Sequence, residues 1–84
     1  MEQKYDSFMV SVGQLGRHAE LHKIFDSFDK ACMYAQSHSY DGFYAQVYGF
    51  IRVKNVRKRV DRLAVYLLET YVDGDKYTYK GIMV

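Results

Sequence analysis

Residues 43–54 read FYAQVYGFIRVK, and the alternation in that run constrains the fold more than any other feature of the chain. Its odd positions are Phe43, Ala45, Val47, Gly49, Ile51 and Val53, and its even positions are Tyr44, Gln46, Tyr48, Phe50, Arg52 and Lys54. Successive side chains of a strand point to opposite faces, so a period of two separates the two sets. The odd set is aliphatic and is expected to face a core. The even set carries three aromatic rings and leads into two cations. Such a run predicts one strand of a sheet whose two faces differ in chemistry.

The flanking segments predict what surrounds that strand. In SFMVSV, residues 7–12, Phe8, Val10 and Val12 alternate with Ser7 and Ser11, a strand pattern. GQLGR, residues 13–17, reads as a turn, and ELHKIF, residues 20–25, as a returning strand. A helix follows. Asp26 or Ser27 can cap it, Asp29 lies in its first turn where the helix dipole favours an anion, and Phe28, Ala31, Cys32 and Ala35 form one apolar stripe. YDG at 40–42 ends it. Residues 55–72 fit two readings. Val56, Val60, Leu63, Ala64, Leu67, Leu68 and Tyr71 have helical spacing. Against a helix, Arg57, Lys58 and Arg59 would oppose the dipole in its first turn, and AVYLLETYV is rich in β-branched and aromatic residues. The strand reading, with a turn near 55–58 and a strand from about Val60 to Val72, is preferred. DGDK at 73–76 is a hairpin loop signal, and YTYKGIMV closes the sheet. The expected fold is α+β, a single domain over residues 1–84 in the order ββαβββ, with a twisted, mostly antiparallel sheet and one helix packed on one face. The other face must meet water, a second subunit or a ligand.

Charge is distributed unevenly. Residues 1–51 hold four bases and six acids, a net of −2, whereas residues 52–84 hold eight bases and four acids, a net of +4. Six of the twelve Lys and Arg fall within residues 52–62. Local excess of one sign is what makes a binding face.

Other chemistry is poorly supported. Cys32 is the single cysteine, which excludes an internal disulfide and suits a reducing compartment. MEQKYDSF has no apolar core of a signal peptide, and no apolar run nears the ~18 residues of a membrane span. A cytoplasmic, membrane-free domain is expected. His18, His22 and His38 with one thiol make no zinc set, and Asp73 and Asp75 beside Gly74 look like turn chemistry rather than a calcium loop. Ser, His and Asp occur in no catalytic order, and neither glycine turn matches a phosphate loop. No enzyme activity, metal or cofactor is expected.

The rings and cations therefore carry the functional reading. If the even face points away from the core, Tyr44, Tyr48 and Phe50 can stack on bases while Arg52, Lys54, Arg57, Lys58, Arg59 and Arg62 neutralise phosphate. That predicts a non-enzymatic module engaging RNA or a protein–RNA complex. Tyrosine suits protein interfaces equally well, so an inhibitor or adaptor docking on an acidic protein surface, and a homodimer, are the competing expectations. The chain is also similar to small proteins encoded by tailed bacteriophages: short, starting at Met1, without proline, rich in tyrosine and α+β. That resemblance implies a host-takeover or counter-defence role in the host cytoplasm, exerted by blocking a defence or toxin enzyme, sometimes with RNA in the complex. It assigns no role to any single residue.

Overall fold

The computed structural model describes residues 5–55, 57 and 60–84. Among them are five strands and one helix: β1 (Ser7–Gln14), β2 (Leu21–Phe25), α1 (Phe28–Ser37), β3 (Phe43–Asn55), β4 (Val60–Val72) and β5 (Asp75–Met83). All neighbouring strands are antiparallel, in the order β2-β1-β3-β4-β5. α1 packs on one face of this open sheet, so the expected α+β architecture is observed.

The helix-covered face holds the core. Phe8, Val10 and Val12 of β1, Ala45 and Val47 of β3, and Leu68 and Tyr71 of β4 are buried against Ala31 and Ala35 of α1. Two alanines on the inner stripe let the helix approach the sheet closely, and larger rings close the rim. Phe28 lies 5.6 Å from Phe8, centroid to centroid, and Tyr34 lies 5.2 Å from Phe25. Tyr5 fills the other end, against Phe8 and Tyr66. The odd face of β3 was expected to be core throughout, but burial stops at Gly49. Ile51 is half-buried and Val53 is 46% exposed, because the helix does not extend over that end of the strand.

Residues 60–72 form the strand of the preferred reading. Pairing with β3 satisfies their backbone, and the register alternates Ala64, Tyr66 and Tyr71 toward the helix side. Leu68 has no partner between the Val47↔Glu69 and Tyr48↔Leu67 pairs. This bulge places Leu68 and Glu69 in the buried layer together. The Glu69 carboxylate is satisfied there: it accepts from the Tyr71 hydroxyl at 2.9 Å and the Thr78 hydroxyl at 3.5 Å.

Three boundaries differ from expectation. β1 runs on to Gln14, because Gly13 and Gln14 pair with Tyr44 and Phe43. Ser27 is the N-cap in position only: its side chain makes no capping hydrogen bond, and its carbonyl accepts from Ala31 N–H. The β4–β5 turn is tighter than four residues. Asp73 and Gly74 both have positive φ, 56° and 81°, as a two-residue hairpin of matching twist requires. Ser39 ties that turn to the end of α1. Its hydroxyl accepts from Gly74 N–H at 3.1 Å, and its carbonyl accepts from Asp73 N–H at 2.7 Å.

Candidate nucleic-acid interface

Because Ala45 and Val47 face the helix, the alternating positions Tyr44, Gln46, Tyr48, Phe50, Arg52 and Lys54 point to the opposite face. Among the described residues, no helix covers that face. The register assembles its remaining side chains: Met9 and Ser11 from β1, Ile24 and His22 from β2, Leu63, Val65, Leu67 and Thr70 from β4. Tyr44, Tyr48 and Phe50 are half-buried, lying over neighbouring strands rather than standing free, while Arg52 and Lys54 are exposed. The three rings lie outside the hydrophobic core cluster.

Local contacts hold the rings. The Tyr44 hydroxyl donates to the Arg17 carbonyl at 2.7 Å, with the ring lying over Gly13. A Cβ at position 13 would fall 2.8 Å from both the Tyr44 hydroxyl and the Ala19 Cα, so glycine is required for this ring position. The Tyr48 hydroxyl donates to Gln46 Oε1 at 2.8 Å, and Gln46 Nε2 reaches Thr70 at 3.5 Å. Burial, reinforced by the neighbouring Tyr44, raises the Tyr48 phenol above its ordinary pKa, keeping it a neutral donor. Ser11 Oγ and His22 Nδ1 are paired at 2.8 Å. The face thus alternates rings with satisfied polar groups.

Beyond Phe50 the face becomes basic. Arg52, Lys54, Leu63, Asp6 and Ser7 line an open groove. Asp6 shapes its edge: its carboxylate accepts the Arg52 backbone N–H at 2.8 Å, and its own N–H donates to the Phe50 carbonyl at 2.8 Å.

The structure does not put every expected cation on this face. Arg62 pairs with Val53, whereas Arg52 pairs with Leu63 and Lys54 with Asp61. Paired residues share a face, so Arg62 projects from the helix side of the sheet, opposite Arg52. The expectation that the cations continue one row around the turn fails at this residue, since the row changes face with each step of the return strand. Arg57 is exposed in the turn. Lys58 and Arg59 lie outside the described residues. Reasoning from sequence missed Gln46, His22, Leu63 and Asp6. Gln46 was readable as an even position between two rings, but the others reach the site only through cross-strand register.

Two further groups define what the molecule offers chemically. Cys32 sits under the helix beside Tyr71. Burial pushes its thiol up to about 11, against a hydrogen bond from Tyr71 that pulls it down, so it is a poor nucleophile at neutral pH. Among the described residues no three His, Cys, Asp or Glu side chains converge as a metal site, and no helix is long and apolar enough to cross a membrane. Comparison of the chain with known protein families, with curated proteins and with solved structures finds no match, so the reading of this surface rests on its own chemistry.

Proposed function

We propose that the chain is a non-enzymatic module that binds single-stranded RNA, alone or within a protein–RNA complex, on the sheet face opposite α1. One observation carries this reading: Tyr48, Phe50, Arg52 and Lys54 follow one another along a single uncovered face, rings first and cations after. Flat π-surfaces stack on bases without demanding a sequence, and adjacent cations meet the phosphates that link them. Side chains on one face of a strand repeat about every 7 Å, close to the reach of successive nucleotides in an extended strand. A role in blocking a host enzyme, as the phage-protein resemblance implies, is compatible with such a surface.

The test is fluorescence anisotropy with a labelled 12-nucleotide single-stranded RNA. Removing one stacking ring costs roughly 1–3 kcal/mol, so Tyr48→Ala and Phe50→Ala are each expected to weaken binding by about 5- to 150-fold. Circular dichroism checks that the sheet is retained. Unaltered affinity in both folded variants would exclude the stacking surface. The competing protein-interface reading has its own support in Ile24 and Leu63, each 60% exposed on this face. A light-scattering mass of twice the monomer, together with no RNA binding, would establish it instead.

A further inference from the structure

The last pair between β1 and β3 is Ser7↔Phe50, and the last between β5 and β4 is Tyr66↔Met83. Past those points β3 and β4 pair only with each other, through Ile51↔Ala64, Arg52↔Leu63, Val53↔Arg62, Lys54↔Asp61 and Asn55↔Val60. The result is a two-stranded ribbon about 15 Å long that projects from the sheet, and it accounts for the elongated 48 × 30 × 20 Å shape. The ribbon is also where the charge lies. Residues 52–62 hold six bases and one acid, a net of +5, and the remaining residues hold six bases and nine acids, a net of −3. Its cations are two-sided: Arg52 and Lys54 on the open face, Arg62 on the other, Arg57 in the turn, all exposed.

A flat single-strand platform uses cations on one side only, and Arg62 has no place in it. A ribbon lying in a groove meets a phosphate row on each side, which two-sided charge fits. The major groove of B-form DNA, about 12 Å wide, admits a two-stranded β-ribbon. The corresponding A-form groove is too deep and narrow to be read by side chains. Val53 and Leu63, 46% and 60% exposed, alternate with the cations and suit the thymine methyl groups on that groove's floor.

We propose that the β3–β4 arm seats in the major groove of a B-form duplex. Phe50 and Arg52 are neighbours on one strand, so the arm continues the stacking face without a break. Resting on the single-strand reading above, the combined ligand is a strand that leaves a DNA duplex: unpaired bases on the rings, the adjoining duplex on the arm.

Anisotropy with four probes tests this: the single-stranded RNA 12-mer, a blunt 16-base-pair DNA duplex, the same DNA duplex carrying the 12-mer as a tail, and an all-RNA stem with the same tail. The tailed DNA duplex is expected to bind at least tenfold tighter than the tail alone. Arg62→Glu should abolish that gain and leave tail binding unchanged, Arg62→Lys should restore most of it, and the RNA stem should give none. Losing one phosphate contact should also reduce the salt slope for the duplex by about 0.9. The proposal is overturned if the tailed duplex is no better than the tail, if the gain survives Arg62→Glu, or if the RNA stem gives the same gain. Tight, Arg62-dependent binding of the blunt duplex with no affinity for the tail would uphold the arm while removing the single-strand face.

Discussion

Gly13 shows how one residue sets the geometry of a surface. Its missing side chain is what lets the Tyr44 ring cross β1 and reach the Arg17 carbonyl. Gly13→Ala should force either that ring or the Ala19 backbone aside. Overpacking of this kind costs typically 1–3 kcal/mol, measurable as a lower urea midpoint at unchanged slope. Cys32 makes a second residue-scale prediction. Its thiol is raised in the folded protein by burial, so the native state holds that proton longer than the unfolded chain does. Stability linked to it is complete below about pH 9 and is lost as pH rises toward about 11. Thermal melts between pH 8 and pH 10 should therefore fall more steeply for the wild type than for Cys32→Ala. Parallel curves would mean that another group controls alkaline unfolding. Both residues were visible in the sequence, Gly13 as a turn and Cys32 as an inert core thiol. The turn assignment missed because two glycines within five residues resemble a loop, whereas a close ring over the strand needs glycine just as much.

The elements divide into those held by local rules and those held by tertiary contacts. α1 starts at Phe28 without a side-chain cap, so Ser27→Ala should change stability by less than about 0.5 kcal/mol, against the ~1 kcal/mol of an ordinary cap. The end of the same helix behaves differently. Ser39 is fully buried and supplies the acceptor for Gly74 N–H across the β4–β5 turn. Ser39→Ala leaves that N–H without its partner, and a loss of about 1–3 kcal/mol is expected in chemical denaturation. The N-terminal serine is thus the dispensable one, although position alone favours it as the stabilising residue. The strand over 60–72 illustrates the same division. Its apolar spacing suits a helix, and its pairing with β3 and the bulge at Leu68 arise only when the neighbouring strand is present.

At the scale of the whole molecule, the charge separation between arm and body dominates. With +5 in residues 52–62 and −3 elsewhere, binding of any polyanion should weaken steeply with salt while folding stability changes little. Comparing anisotropy titrations and thermal melts across 50–300 mM salt checks this. Equal sensitivity of the two would place the cations in structural ion pairs. Among the described residues the ion pair seen, Lys30 with Asp26 at 3.6 Å, is exposed and contributes little. By itself the sequence determined the strand, helix and turn order, the two-faced character of β3 and the basic segment after it. Those follow from local periodicity and from counting charge, both of which are written along the chain. Only the tertiary structure decided which cations share a face with the rings, where the core ends, and that β3 and β4 outrun their neighbours. Each of these depends on cross-strand register and on where the adjacent strands stop, quantities set by packing between residues far apart in sequence.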